Sequence, residues 1–226
     1  MAFYMNGTQI GTTLGALRYN SINITRAYCN GVNVWNMLAP AGSQLFTSSG
    51  SFTVPAGVYS VQVTVVGAGG SGANGQFNGG GGYAGAVVTQ SVAVTTGQVI
   101  PVSVGAGGVP REHTASGGYV NGAAGGNSSF GSVVAAGGSG GVANGSAYAG
   151  NGGATSYGTV DGGIHVYGAY TGYGGKGCIG NGGRAGGGGT SAAAGGVGAG
   201  GGGACFATYG TWSGEGGRGQ VNVSWN

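Results

Sequence analysis

Between Gly180 and Gly203 the chain reads GNGGRAGGGGTSAAAGGVGAGGGG, with 14 glycines in 24 residues. Few features limit a fold more. Glycine brings no side chain to a core, and it loses more conformational freedom on folding than any other residue. A stretch of this kind is a flexible linker, a collagen-type helix, or a body held together by backbone contacts. Collagen requires abundant proline, and this chain has 4 prolines against 62 glycines in 226 residues. Disorder goes with low hydrophobicity and high charge. Here 40% of residues are hydrophobic, 4% are charged and 12 are tyrosine. The run is also followed by VNVSW (Val221 to Trp225), which alternates as a strand does. Chain that leaves a sheet and returns to it is an insertion closed at both ends.

Spacing within the run sharpens this reading. Positions 174, 177, 180, 183, 186 and 189 are glycine, as are 195, 198 and 201, with alanine at 192 and 204. The other two frames hold Lys176, Asn181, Arg184, Thr190 and Val197. Three residues per turn is the period of the polyproline II helix, which has no internal hydrogen bonds. Its backbone groups need outside partners when buried. Glycine helices of this type can bond to one another because no Cβ holds them apart. The expectation is a bundle of polyglycine II helices, with two of them joined near TSAAA.

Three zones follow along the chain. In residues 1–43, YMNGTQI (Tyr4 to Ile10) and YCNGVNV (Tyr28 to Val34) repeat an Asn-Gly pair between alternating residues. Asn-Gly favours the two-residue hairpin turn, so small hairpins are expected; a sheet this small needs something to pack on. Residues 44–104 are β-rich. In YSVQVTVV, Val61, Val63 and Val65 face one way and Ser60, Gln62 and Thr64 the other. AVVTQSVAV, QVIPVSV and FGSVVAA (Phe130 to Ala136) read as further strands, with Pro101 marking an edge or a bulge. Residues 105–219 alternate glycine clusters with more varied segments, and 220–226 completes the β-rich base. The fold class expected is mainly β with little or no helix: a sandwich-like base plus a polyglycine II bundle with long loops.

Composition excludes several function classes. Six basic residues are spread along the chain, whereas phosphate backbones are met by clustered Lys and Arg. No apolar stretch reaches membrane-spanning length, so neither a nucleic-acid protein nor an integral membrane protein is expected. Gly67 to Gly72 (GAGGSG) follows a strand and fits G-x-G-x-x-G. A dinucleotide site also requires a helix opening there and an acidic residue about 20 positions on, and neither is present. GGSGG at 137–141 and GGKGC lack the context of a nucleophile elbow or a phosphate loop. Three acids, Glu112, Asp161 and Glu215, offer little to paired-carboxylate catalysis. Asp161 and His165 of DGGIH, with His113 elsewhere, read as loop residues rather than metal ligands. Cys29, Cys178 and Cys205 are widely spaced and read as small buried residues. No enzyme activity, metal or cofactor is expected.

The varied segments concentrate aromatic rings among Ser, Thr, Asn and Gly, the composition of antibody paratopes. Tyr148, Tyr157, Tyr167, Tyr170, Tyr173, Phe206, Tyr209 and Trp212 belong to this group, with Arg111, His113, Tyr119 and His165 beside them. These side chains either cap the ends of the bundle or meet a partner, and one ring can do both.

Taken in order, SGSFTVPAGVYSVQVTVVGAGG, GGGGYAGAVV, GQVIPVSVGAGG, GGNSSFGSVVAAGG and GEGGRGQVNVSW resemble the glycine-rich domain of bacteriophage tail and tail-fibre proteins. The alternation of glycine motifs with variable loops is similar to the adhesins that cap T-even-type long tail fibres. The first zone resembles the N-terminal segments of phage tail-tip proteins. These resemblances imply a tail-fibre or tail-tip adhesin of the virion, made in the host cytoplasm, that binds a bacterial outer-surface protein or saccharide. Loops 109–121, 142–149, 154–173 and 204–213 would carry the contact. Tyr4, Tyr28 and Trp35 would anchor the chain to other tail or fibre proteins, either as a homotrimer or as a single cap on a trimer. The alternative is a structural capping component with no receptor role.

Overall fold

The computed structural model describes residues 40–75, 79–112, 119–143, 181–184, 186, 191–205 and 211–226, and in the N-terminal region the backbone of the strands only. That region forms three two-stranded antiparallel ladders. β1 (Phe3–Met5) pairs with β2 (Thr8–Gly11), β3 (Arg18–Tyr19) with β4 (Ile22–Asn23), and β5 (Arg26–Cys29) with β6 (Val32–Asn36). The first and third close over the two Asn-Gly pairs, with Met5 opposite Thr8 and Cys29 opposite Val32.

The base is a sandwich of two four-stranded antiparallel sheets. The strands that build it are β7 (Gly42–Phe46), β8 (Gly50–Thr53), β9 (Ser60–Val66), β11 (Val87–Ala93), β12 (Val99–Ser103), β13 (Ser128–Phe130), β14 (Val133–Ala135) and β16 (Gln220–Trp225). One sheet runs β11-β9-β16-β7 and the other β14-β13-β12-β8. Alternation decides what lies between them. Val61, Val63 and Val65 of β9 and Val221 and Val223 of β16 meet Phe52, Ile100, Val102, Phe130 and Val133 of the other sheet. Phe52 packs against Phe130 and Trp225, with ring centres 5.8 and 5.6 Å away. The opposite face of β9 carries Ser60, Gln62 and Thr64, and Ser60 and Thr64 meet Ser91 and Thr89 hydroxyl to hydroxyl.

Two sequence expectations are corrected here. FGSVVAA is not one strand. Gly131, at φ 55°, turns the chain between β13 and β14, a conformation glycine adopts without a steric penalty. Pro101 lies in an inner strand, between β8 and β13. Its carbonyl accepts the Gly131 N–H, so its nitrogen faces the turn where β13 has already ended, and no ladder bond is forfeited.

Beyond Val66 the side chains shrink and the two sheets close on each other. Side chains hold stacked sheets about 10 Å apart. Gly67, Ala68, Gly69 and Gly70 hold nothing apart. Residues 67–75 run on from β9 and become the axis of a bundle; the last two form β10 (Asn74–Gly75). The N–H groups of Gly67, Gly70 and Ala73 donate to Ala86, Tyr83 and Gly80. Those of Ala68, Ser71 and Asn74 donate to Gly126, Ala123 and Val120, and those of Gly69 and Gly72 to Gly217 and Gly214. All eight bonds measure 2.8–3.1 Å. The direction of donation turns by one neighbour per residue and repeats after three, which is the polyglycine II pattern. Carbonyls of the same run accept from three other runs: Gly138 and Gly141 donate to Ala68 and Ser71, Gly108 to Gly69, and Gly201 and Ala204 to Gly70 and Ala73.

The axial run therefore has six neighbours. Runs 79–86, 119–127 and 211–219 return toward the sandwich and receive its N–H bonds. Runs 105–111, 136–143 and 198–204 lead away from it and donate to its carbonyls. The last of these ends in β15 (Ala204–Cys205), which pairs in parallel with β10. Two further runs, 181–186 and 191–196, pack outside 198–204 and 211–219. The bundle thus takes in chain that precedes residue 105. Runs 181–186 and 191–196 are opposite in direction, and the chain turns again at Gly198, where φ is 68°.

Candidate functional site

Every run that leads away from the sandwich ends at the same pole. The chain departs there from Gly75, Glu112, Ala143, Gly186 and Cys205 and returns there at Gly79, Tyr119, Ser191 and Thr211; after Ala143 it re-enters at Asn181, at the sandwich end of run 181–186 and beside Gly196. The connections after Glu112 and Cys205 begin and end at this pole, and the one that holds residues 154–173 begins there, at Ala143. The N-terminal ladders enter the sandwich at the opposite pole, through Pro40 and Gly42 beside Trp225. There the Trp225 indole N–H donates to the Pro40 carbonyl at 3.2 Å.

Backbone pairing holds the distal pole in register. Asn74 and Val120 exchange N–H···O bonds of 2.9 and 2.8 Å. Ser213 N–H donates to the Arg111 carbonyl at 2.9 Å, and Arg111 N–H donates to Ser213 Oγ at 2.8 Å. Trp212 pairs with Glu112 in an isolated bridge, and its N–H donates to Ser191 Oγ at 3.1 Å. The Asn121 side chain accepts the Ala143 N–H at 2.9 Å.

Side chains project from the ring runs at every third position: Asn121 and Ala124, Ser139 and Val142, Trp212 and Glu215 are exposed while the residues between them are covered. Large apolar groups collect at the distal ends of these runs. Val109 is 57% exposed, Val142 47%, Trp212 43% and Tyr119 40%. Such surface on a rigid floor suits contact with a partner. Of the residues expected to bind, Arg111, Tyr119 and Trp212 come to this pole, Arg111 half-buried and the two rings open. His113, Tyr148, Tyr157, His165, Tyr167, Tyr170, Tyr173, Phe206 and Tyr209 lie outside the described residues. Tyr4, Tyr28 and Trp35 lie on β1, β5 and β6.

Sequence reasoning missed Ser71 and Asn74. Both are fully buried on the axis, three residues apart. Ser71 Oγ accepts the Ala123 N–H at 2.8 Å, and Asn74 Nδ2 donates to the Arg111 and Thr211 carbonyls. Their signal was present: two polar side chains at the helix period inside a glycine run. The stretch that formally fits a dinucleotide fingerprint is this axis. Its N–H groups all end on backbone carbonyls, so none is free to cradle a phosphate. Among the described residues no helix is long and apolar enough to cross a membrane.

The chain belongs to the glycine-rich domain family, whose model matches residues 47–226. That span opens at the β7–β8 connection and takes in the rest of the sandwich and the whole bundle. No curated protein matches the chain.

Proposed function

We propose that the protein is a phage tail-fibre or tail-tip adhesin, which binds a receptor on the bacterial surface with the loops of its distal pole. The observation that carries this reading is the gathering of four chain connections and the start of a fifth at one pole, with the N-terminal ladders entering at the other. The scaffold beneath is held by backbone bonds, so the residues of the connections are free to vary without disturbing the fold. The N-terminal ladders then serve as the virion attachment. With so little charge on the chain, contact rests on stacking, shape and hydrogen bonds.

A pull-down of host outer-membrane protein and surface saccharide with the full chain tests this. Capture that varies little with salt is expected, because little of the contact is between exposed charges. Exchange of residues 154–173 should then change host range while particles remain intact. Loss of particle assembly with unchanged host range would establish the structural capping role instead.

A further inference from the structure

Among the described residues, three buried side-chain atoms near the distal pole have no hydrogen-bond partner: Asn74 Oδ1, Arg111 Nε and Thr211 Oγ1. They come from three different runs, the axis and two of its neighbours. Asn74 joins them, since its Nδ2 donates to the Thr211 carbonyl at 2.7 Å and to the Arg111 carbonyl at 3.2 Å. Those two bonds also orient the amide. The atom facing two carbonyls must be the nitrogen, so the oxygen is the one left over. Asn74 is fully buried and Thr211 is 3% exposed. Buried polar atoms are nearly always paired. Three unpaired atoms on residues that Asn74 links, beneath a lattice that pairs its backbone so thoroughly, point to a group from outside the chain.

The chemistry of the three atoms selects that group. Asn74 Oδ1 only accepts, Arg111 Nε–H only donates, and the Thr211 hydroxyl does either. A carboxylate or phosphate satisfies Arg111 and confronts Asn74 Oδ1 with another acceptor. An ammonium does the reverse, and a metal ion would face the Arg111 N–H. A neutral hydroxyl both donates and accepts.

We infer that Asn74, Arg111 and Thr211 form a site for one neutral hydroxyl group under the distal pole. Its source is either an enclosed water molecule or a hydroxyl of a saccharide. The saccharide source rests on the receptor-binding reading above; the site itself does not.

A crystal structure of the full chain at atomic resolution tests this, alone and after soaking with glucose or galactose. The expected result for the free protein is one oxygen within hydrogen-bonding distance of Asn74 Oδ1, Arg111 Nε and Thr211 Oγ1. A sugar hydroxyl replacing it identifies the saccharide as the source, and an unchanged oxygen identifies the solvent. Thr211→Ser should keep the oxygen and Thr211→Val should lose it. Three atoms paired with protein groups, an empty site, or an anion or metal in it would overturn the inference. The oxygen present together with a failed pull-down would remove the adhesin reading and leave the site standing.

Discussion

Val65 and Gly69 lie on one continuous run, yet their packing has nothing in common. Val65 is buried by side chains from the facing sheet, as in any sandwich. Gly69 is enclosed by backbone: its N–H donates to Gly217, its carbonyl accepts from Gly108, and a Cβ added to it would fall on the Ala199 carbonyl. The same strands thus pass from a core made of side chains to a core made of peptide groups. The sandwich gains from apolar burial, about 25 cal/mol per Å². The bundle gains from hydrogen bonds, each worth about 0.5–1.5 kcal/mol net, set against the entropy of ordering glycine. A side chain is therefore the material of one half and a defect in the other.

The largest break in this comparison is a side chain placed on the axis. In Gly70→Val the new Cβ falls on the Ser139 carbonyl, and the axis cannot move without breaking bonds to several neighbours. The expected loss is about 3 kcal/mol or more, read by urea unfolding, and failure to fold is within that expectation. Phe52→Ala, the reverse operation in the sandwich, empties space beside Phe130 and Trp225. It should cost about 3–5 kcal/mol, and the chain should still reach the same fold at low temperature.

A smaller loss is expected at the bundle's outer layer. A Cβ on Gly183 falls on the Ala193 carbonyl and comes 2.6 Å from the Gly202 nitrogen, but residues 181–186 pack on one side only. Gly183→Val should cost about 1–3 kcal/mol, while Arg184→Val, at an exposed position, stays within about 0.5 kcal/mol. A glycine outside the bundle sharpens the point. Gly97 sits in a turn at φ 77° with nothing within 4 Å of an added Cβ. Gly97→Ala incurs conformational strain alone, about 1 kcal/mol. Thermal melts should place Gly70→Val lowest, then Phe52→Ala, Gly183→Val, Gly97→Ala and Arg184→Val.

Much of the sandwich was legible. Strict alternation in SVQVTVV named the inward valines Val61, Val63 and Val65, because half-buried strands must alternate, and VNVSW read as a strand. Phe130 to Ala136 was misread because it joins the last residue of one short strand to the whole of the next across a two-residue turn; Gly131 was the clue. The bundle's existence followed from glycine density and a period of three. Its layout did not follow, because which run lies at the centre depends on neighbours and not on the run itself. The axis is GAGGSGAN, less glycine-rich than GNGGRAGGGG, of which residues 181–184 and 186 lie at the edge. A better signal is exposure at every third position, as at Trp212, Glu215 and Arg218. Part of the distal pole was legible from its aromatic rings. Thr211 was not, because buried polarity at the end of a glycine run has no familiar motif, and Asn74 had only its three-residue spacing from Ser71 as a signal.

Native-state hydrogen exchange on the amides of Gly67 to Asn74 tests the central claim most directly. If these residues are the axis of a backbone-bonded bundle, their N–H groups exchange only through global unfolding, as slowly as those of Val61 to Val65 in the sandwich. Exchange at the rate of an unstructured glycine chain, with the sandwich still protected, would contradict the account.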